Sequence, residues 1–277
     1  MSEVAIYAGL VLLGLTVGGY GTMIGAGGGF VLVPLLLLLY PSREPDFVTS
    51  VSLAVVFFNA ASGTLAYVRQ KRVDYLAANL FAAATIPGAV AGAFVIGYVP
   101  RDVFDVVFAL LLLAIAAFLL LRPSPTTRVV QRTHRRGEVS RLITDHEGVM
   151  YAYSYNVWAG VGTSTGVGFA SSLLGIGGGV IHVPIMVRVL RFPAHIATAT
   201  SHYVLMVSAL AGTMVHVSTG QLDGGYGITG ALAAGVLVGA QVGAQLSNRI
   251  RGDLLIRLLG AALAVTSIRL LIGSVIG

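Results

Sequence analysis

The sequence predicts an all-α polytopic membrane protein built from two inverted repeats, each a glycine-broken helical hairpin followed by three transmembrane helices. Three observations lead to this fold class. The chain of 277 residues is 56% hydrophobic and 10% charged, with a mean hydropathy of +0.88, a composition that water-soluble domains do not have. A glycine-rich decapeptide occurs twice, and the Lys and Arg residues concentrate between long apolar blocks. The bilayer is therefore the expected environment.

The decapeptide is the feature that organises both halves of the chain. It reads GAGGGFVLVP from Gly25 to Pro34 and GIGGGVIHVP from Gly175 to Pro184. Two copies in similar apolar surroundings indicate a duplicated unit. Consecutive glycines let the backbone turn sharply and leave its N–H groups open to a ligand, and proline is tolerated near the first turn of the helix that follows. Each copy therefore predicts a backbone break and then the N-terminus of a helix that begins within the membrane.

The first apolar block, residues 4–40, is too long for one membrane crossing. Roughly 37 helical residues would reach about 55 Å, nearly twice the ~30 Å thickness of the hydrocarbon core. The block is therefore expected to form a hairpin with both ends on one face, and the sequence leaves open whether its first helix crosses fully or turns back at mid-depth. Three further spans are predicted at about 48–68, 75–98 and 103–121.

The pattern then repeats after a polar stretch. Residues 1–121 are predicted to form the first membrane repeat, 122–147 a basic cytoplasmic linker and 148–277 the second membrane repeat. The Pro, Thr and Arg content of the linker predicts mobility; its arginines are Arg122, Arg128, Arg132, Arg135, Arg136 and Arg141. In the second repeat the broken block is predicted at 151–189 and the three spans at 196–217, 226–246 and 254–273.

The charges of the loops decide between parallel and inverted repeats. If each glycine block were a single crossing, the halves would be parallel and Arg249 and Arg251 would lie outside. If each block is a hairpin, the halves are inverted and both termini lie outside. The strongly basic loops then all fall inside, at 69–72, 122–147, 188–191 and 249–251, and the neutral or acidic loops fall outside, at 43–46, 101–105 and 220–223. The positive-inside rule favours inversion.

An inverted repeat with a broken helix in each half is typical of secondary transporters. Helix N-termini and free N–H groups at the midplane can hold an anion without a lysine or an arginine. Polar side chains of the spans that follow the breaks could complete the pocket. Ser52 and Ser208 are among these polar side chains. The predicted substrate-binding residues are Gly27, Gly28, Gly29, Thr49, Ser50, Asn59, Gly177, Gly178, Gly179, His182, Thr200, Ser201 and His202.

These residues also have simpler interpretations. Glycines can serve only close helix packing, which is the favoured interpretation for Gly88, Gly92, Gly239 and Gly243. Hydroxyl side chains often bond to their own helix backbone.

The histidines break the repeat symmetry. His182 stands where the first motif has Leu32, and His202 replaces Val51 when Thr49-Ser50 is matched with Thr200-Ser201. An ionisable group within a membrane is costly and suggests function, so both histidines are predicted to be proton carriers or anion donors.

The combination of features is similar to a known family. The paired GxGGGxxxVP motifs, the Thr-Ser pairs downstream, the Gly-Ala-rich third spans and the central hydrophilic loop resemble the TauE/SafE family of membrane permeases, the sulfite exporters, over nearly the whole chain. The resemblance implies a multi-pass protein in the plasma (inner) membrane of a prokaryote. It also implies transport of a small sulfur-containing anion or organosulfonate, such as sulfite, thiosulfate or sulfoacetate. Substrates differ within the family, so the substrate and the direction of transport stay open.

Other functional classes have weaker support. The sequence has no P-loop and no HExxH, CxxC or GxSxG motif, so we predict neither an enzyme nor a bound cofactor or metal. Nucleic-acid binding has no support beyond the basic linker. The expected partners are a small anionic substrate, the lipid bilayer and protons as a coupling ion, and a homodimer is compatible with these expectations. An anion channel or a non-transporting membrane assembly protein is the alternative, because broken helices also line channels.

Overall fold

A computed structural model describes residues 3–121 and 137–276, with the backbone alone from 270 onward. The protein is predominantly helical, as predicted. Five of the described helices are long and apolar enough to cross a membrane; they cover Glu3–Ile24, Pro45–Arg69, Tyr75–Tyr98, Arg101–Leu121 and Tyr226–Ser247. The linker arginines Arg122, Arg128, Arg132, Arg135 and Arg136 lie outside the described residues.

The elements follow the predicted order, with one addition. The first half contains α1 (Glu3–Ile24), α2 (Gly29–Leu39), α3 (Pro45–Arg69), α4 (Tyr75–Val95), a 3-10 turn (Ile96–Tyr98) and α5 (Arg101–Leu121). The second half contains β1 (Glu138–Thr144), β2 (Met150–Asn156), α6 (Val157–Leu174), α7 (Gly179–Pro184), a π-helical turn (Ile185–Val189), α8 (Ala194–Ser218), α9 (Tyr226–Ser247) and α10 (Gly252–Ile276). The spans predicted from the sequence overlap α3 to α5 and α8 to α10.

The addition is a β-hairpin between the two halves. Strands β1 and β2 pair antiparallel, with Glu138 opposite Asn156 and Thr144 opposite Met150. Tyrosines alternate with small residues along β2, and this period of two with aromatic side chains suits a strand. The prediction of an all-α chain was therefore wrong for this segment. The second broken block begins at Val157 rather than at 151, because the residues before it are paired in the hairpin.

Local signals explain where several helices begin. The Asp74 carboxylate accepts hydrogen bonds from the N–H groups of Leu76 and Ala77 at the start of α4. The Asn156 side chain accepts from Ala159 at the start of α6, and Pro45 occupies the first turn of α3. These are the residue types preferred at helix N-termini because they satisfy, or do not need, the free donors there.

The first helix of each half packs against a helix of the other half, and glycines form these contacts. α1 packs along α9, and α6 packs along α4. A methyl group at Gly14 would collide with the carbonyl of Leu232, and one at Gly88 would collide with that of Thr165. The same is true of Gly92, Gly239 and Gly243, which face the backbones of Phe169, Leu15 and Gly19. Close packing therefore accounts for the glycines of the third spans, since small residues let membrane helices approach one another.

Helices α3 and α8 cross the centre of the protein in opposite directions. Ser50, near the start of α3, donates to the carbonyl of Gln221, which follows α8. Gly63, near the end of α3, lies against His202, near the start of α8. The two helices are therefore antiparallel and pack along each other.

The loops gather at two ends of the helices. Arg72 bonds to Asp145 and to Asn248, and Gln70 bonds to Ala244. This end contains loop 70–74, the β-hairpin and loop 248–251. We call it the basic face. The other end, with loops 40–44, 99–100 and 219–225, is called the opposite face.

The first broken block returns to the face from which it starts. α1 begins at the opposite face, where its Tyr7 lies beside Gly227 at the start of α9. Near the end of α1, the carbonyl of Thr22 accepts a hydrogen bond from Tyr67. The Tyr67 hydroxyl is also 3.4 Å from Ser247 at the end of α9. α1 therefore runs the length of α9. The shorter α2 then leads back, since Arg101 of the opposite face donates to the carbonyl of Leu37.

Candidate functional site

The two glycine breaks meet at the centre of the protein. A methyl group at Gly29 would lie 2.8 Å from the carbonyl oxygen of Gly175, and one at Gly179 would lie 3.0 Å from Cα of Ala26. Any larger residue at these contacts would push the two breaks apart. Side chains from the middle of α3 and α8 complete the contact, with Val56 and Leu205 facing both breaks.

The conformation of the breaks also requires glycine. Gly27 has φ +77° and Gly28 has φ +84°, and in the second break Gly177 has φ +67° and Gly178 has φ +29°. Residues with a side chain rarely adopt these backbone conformations. The glycine pattern read from the sequence thus corresponds to a turn that only glycine can make.

The backbone N–H groups of the first break remain available. No hydrogen bond joins the N–H groups of Gly28, Gly29 and Phe30 to an acceptor among the described residues. In the second break the N–H group of Gly178 donates to the Ser171 hydroxyl. Buried N–H groups almost always have a partner, so the first break is a place where an anion or water would be stabilised.

A buried network fills the space beside the first break. Asn59 donates to the carbonyl of Gly27 at 3.0 Å and accepts from the Thr22 hydroxyl at 3.1 Å. His202 Nε2 lies 3.3 Å from the same hydroxyl, and its ring meets the edge of Tyr67. These side chains are buried. The polar groups of the first half are therefore largely paired with one another.

A small closed cavity lies beside the second break. The volume in which the centre of a water molecule can lie is about 10 Å³, which is enough for about one water molecule. Its lining consists of Thr85, Val167, Gly178, His182, Ser201, Val204, Leu205 and Ser208. The hydroxyls of Ser201 and Ser208 and Nδ1 of His182 have no hydrogen-bond partner among the described residues.

These unpaired atoms indicate a ligand. Leaving a buried donor or acceptor unpaired costs about 1–3 kcal/mol, so a polar molecule in the cavity would recover that free energy. Ser164 donates to the carbonyl of Gly160 at 2.7 Å, and its oxygen is 3.1 Å from Nε2 of His182. The oxygen can therefore accept from His182, which places a lone pair on Nδ1 of the neutral ring.

The structure brings many of the predicted site residues together. Gly178, His182 and Ser201 line the cavity, while Asn59 and His202 belong to the buried network. Of the remaining motif glycines, Gly29 and Gly179 touch the other break, Gly27 and Gly177 lie against Val56 and Leu205, and Gly28 lies against Val17 of α1.

Three predicted residues are engaged elsewhere. Thr49 donates to the carbonyl of Asp46, and Ser50 donates to those of Phe47 and Gln221 toward the opposite face. Thr200 accepts from the N–H group of Asp74 at the basic face. The structure does not bring these hydroxyls to the cavity.

Four polar site residues were missed in the sequence: Thr22, Thr85, Ser164 beside His182, and Ser171, which accepts from Gly178. Thr22 bonds to Asn59, and Thr85 lines the cavity. A signal existed for Thr22, because it stands three residues before Gly25 as Ser172 stands three before Gly175. Among the described residues, no group of His, Asp and Glu side chains has the arrangement of a metal site.

The sequence suggested which residues of α3 correspond to which residues of α8, and this correspondence was wrong by two residues. Gly175 packs against Thr49, and Gly25 packs in the same way against Thr198. Thr198, not Thr200, is therefore the equivalent of Thr49. In the same register His202 is equivalent to Leu53, because His202 lies against Gly63 and Leu53 lies against Gly212. The predicted match of His202 with Val51 was also wrong.

Comparison with known proteins agrees with this architecture. The model of the family described as "Sulfite exporter TauE/SafE" matches residues 10–270. The chain belongs to the TauE/SafE family. The names of the family and of its relatives indicate a membrane transporter, and the apolar helices are those of a multi-pass membrane protein.

Several relatives match over most of their length. YunE of Bacillus subtilis is 31% identical over 95% of this chain and 96% of its own. YfcA of Escherichia coli K12 is 26% identical over 92% of this chain and 86% of its own. MJ0441 of Methanocaldococcus jannaschii is 25% identical over 76% of this chain and 72% of its own. Each is named a probable membrane transporter protein. No solved structure gives a significant match.

Proposed function

We propose that the protein is a secondary transporter that moves a small sulfur-containing anion or organosulfonate, such as sulfite, thiosulfate or sulfoacetate, across the plasma membrane of a prokaryote. The observation that carries this proposal is the meeting of two glycine breaks beside buried, unpaired hydroxyl and imidazole groups. The substrate class follows the name of the family, sulfite exporter. Broken helices that meet in the interior are the usual binding sites of secondary transporters.

The two halves act as inverted repeats in this proposal. Support comes from the antiparallel course of the equivalent helices α3 and α8, and from the matched packing of α1 on α9 and α6 on α4. A twofold axis in the membrane plane would produce both relations. The positive-inside rule then assigns the basic face to the cytoplasm, and the two breaks come to lie near mid-depth.

The substrate is held by neutral donors. The hydroxyls of Ser201 and Ser208 line the cavity from α8. The N–H groups of Gly28 and Gly29 lie outside that cavity in this structure and would become donors once the breaks separate. Hydrogen bonds to an anion are stronger than those between neutral groups, and the helix N-terminus adds a favourable dipole. This arrangement holds charge without placing a cation in the membrane.

Binding requires the breaks to separate. The cavity has room for about one water, whereas sulfite, the smallest of the proposed substrates, consists of one sulfur and three oxygen atoms. In this proposal the structure represents a closed conformation, and the substrate enters when one half moves relative to the other. Alternating access through such rocking movements is the usual mechanism of inverted-repeat transporters.

Protons are the proposed coupling ion. Neutral His182 presents a lone pair at Nδ1, whereas the protonated ring presents a second N–H group. A bound anion would repel the lone pair and attract the N–H group, so substrate binding favours proton uptake by His182. One proton would then accompany one anion.

The first test is the thermal stability of the purified protein in detergent with sulfite, thiosulfate, sulfate, sulfoacetate or an aliphatic carboxylate. A ligand of the folded state at about 100 times its Kd adds about 2.7 kcal/mol of stability. We expect a selective shift with a sulfur oxyanion or sulfonate. An equal response to all five anions would contradict the substrate class.

The second test separates a carrier from a channel. Proteoliposomes loaded with unlabelled thiosulfate or sulfite should accumulate the labelled anion transiently above equilibrium, since a carrier exchanges its substrates. Ser201→Ala combined with Ser208→Ala should lower this exchange, whereas Ser140→Ala on the exposed surface of β1 serves as the matched control. Flux without transient accumulation would indicate a channel, and no flux of any anion would contradict transport.

A further inference from the structure

The turn of the β-hairpin holds the loop between α3 and α4. Arg72 is buried, and its guanidinium donates to Asp145 at 3.1 and 2.9 Å. It also bonds to Asn248, just after α9, and the N–H group of His146 donates to the carbonyl of Gln70 at 3.1 Å. Burial alone would raise the pKa of Asp145, but hydrogen bonds from Arg72 and the backbone hold it below its usual value. The turn thus ties the first half to the second.

The middle of the hairpin holds Asp74. This carboxylate is fully buried; it accepts from the Tyr153 hydroxyl at 2.6 Å and from Arg141 at 3.1 and 3.0 Å. The backbone N–H group of Asp74 in turn donates to Thr200, the neighbour of the cavity residue Ser201. A chain of hydrogen bonds therefore connects the hairpin to the start of α8.

Aromatic rings connect the hairpin to the cavity. The edge of Tyr155 meets Phe81 at 6.0 Å between ring centroids, and Phe81 meets His182 of the cavity at 5.7 Å. Tyr153 and Tyr155 both pack on Phe192, just before α8, at 4.7 Å. Phe81 is fully buried, so it lies between the hairpin and the cavity.

The equivalent loop at the opposite face is held differently. Asp223, which corresponds to Asp74, is exposed. It accepts a hydrogen bond from Tyr226, the first residue of the helix that follows this loop. Gln221, which corresponds to Arg72, bonds to His216 at the end of α8. Within residues 3–121 and 137–276, no strand covers this loop. The two faces are therefore closed by unequal contacts.

We propose that the β-hairpin is the gate of the basic face, a strap that closes the path to the central cavity and must release Asp74 and Phe81 for the cavity to open toward that face. The contacts at Asp74 and Arg72 join both halves, so the halves cannot separate at this face while the strap is bound. Its role in turnover rests on the proposed transport function. Its role as a barrier does not, and it can be measured without a substrate.

The barrier is tested by cysteine labelling, for which the chain has no background because it contains no cysteine. Ser201→Cys reports access to the cavity by a membrane-impermeant methanethiosulfonate reagent, applied to vesicles of either orientation. Arg141→Met with Tyr153→Phe removes the side-chain donors to Asp74, and a hydrogen bond to a charged group shifts an equilibrium about tenfold. The matched control is Ser140→Ala with Ser154→Ala, which removes a 2.9 Å contact on the exposed surface of the same hairpin.

We expect labelling from the basic face to become about tenfold faster in the released variant than in the control, with labelling from the opposite face unchanged. Equal rates in the two proteins, including no reaction in either, would overturn the proposal. An equal increase from both faces would also overturn it, because that result indicates general loosening rather than the opening of one gate.

A reversible lock tests the role in turnover. Gln70→Cys with His146→Cys places two thiols where the backbones are hydrogen-bonded, and a disulfide there fixes the strap to the α3–α4 loop. Ser140→Cys with Ser154→Cys is the control, because this bond joins paired residues within the hairpin. We expect oxidation to lower anion exchange about tenfold or more in the lock pair alone, with recovery after reduction.

Full exchange by the oxidised lock pair would overturn the gate. If neither pair exchanges any anion in the reduced form, the transport function fails instead, and the labelling experiment alone decides whether the strap is a barrier.

Discussion

The two glycine breaks share a backbone design but differ in the side chains around them. In the first half Asn59 reaches the carbonyl of Gly27 and accepts from Thr22, so the space is filled. In the second half the equivalent position of α8 is Ser208, whose shorter side chain leaves the small cavity beside Gly178. Leu32 of the first motif is replaced by His182 in the second. The matched breaks are the basis for predicting a duplicated scaffold, and the differences between the two copies are where we propose the substrate site.

The largest expected difference comes from adding one methyl group to each break. In Gly28→Ala the methyl group would lie 2.8 Å from Cγ1 of Val17 at φ +84°. Left-handed strain of about 1–2 kcal/mol then adds to an overpacking cost of about 1–3 kcal/mol. In Gly178→Ala the nearest atom is 3.4 Å away, so we expect strain alone. Thermal unfolding in detergent should show the greater loss for Gly28→Ala.

Gly178→Ala should therefore stay folded while impairing anion binding, since the added methyl group borders the cavity. Equal unfolding temperatures for the two variants would mean that the breaks are equivalent in packing. Retained binding in both variants would favour a packing role for the glycines.

Exchanging Asn59 and Ser208 should reverse which of the two breaks is filled and which has a cavity beside it. Asn59→Ser removes two buried hydrogen bonds and opens space, with an expected loss of about 1–3 kcal/mol of stability. Ser208→Asn should fill the cavity and block substrate with a smaller effect on folding. The measurements are the unfolding temperature and the ligand-induced shift for each variant. A normal ligand shift in Ser208→Asn would show that the cavity is not the substrate site.

Replacing each histidine by its counterpart separates their roles. His182→Leu restores the residue of the first motif, and His202→Leu restores the equivalent Leu53. If protons are carried by His182, transport by His182→Leu loses its pH dependence while His202→Leu keeps it. Initial rates of anion exchange over a range of pH provide the measurement. Unchanged pH dependence in both variants would exclude both histidines as proton carriers.

A separate expected effect is a pH dependence of stability at the strap of the basic face, which has no equivalent at the opposite face among the described residues. Because the pKa of Asp145 is lowered on folding, its contribution to stability is present above the ordinary Asp value and is lost as the pH falls below about 4. Asp145→Asn should remove this contribution at neutral pH and flatten the acid limb of the stability curve. Asp223→Asn at the opposite face is the matched control, with little expected change.

The sequence predicted the large features well for a physical reason. Composition and apolar length determine membrane helices, and the glycine triplets marked both breaks before any contact was known. The β-hairpin was missed although the alternating tyrosines of β2 are a strand signal, because two short strands are stable only through contacts with Asp74, Phe81 and Phe192, which are distant in the chain.

The site could be predicted only in part. Hydroxyl groups near the breaks have similar sequence contexts, but Ser50 and Thr200 bond to loops while Ser201 faces the cavity. The register of α3 against α8 decides which of them reaches the centre, and a Thr-Ser pair is too short a signal to fix that register.

The exchanged helix pairs have a consequence for biogenesis. α1 is synthesised before α9, yet its glycine-rich surface is covered by α9, which leaves the ribosome only after α2 to α8. During synthesis that surface contacts lipid or the insertion machinery instead. Such distant contacts form late and slowly, so the repeats that are separate units of sequence are a single unit of folding.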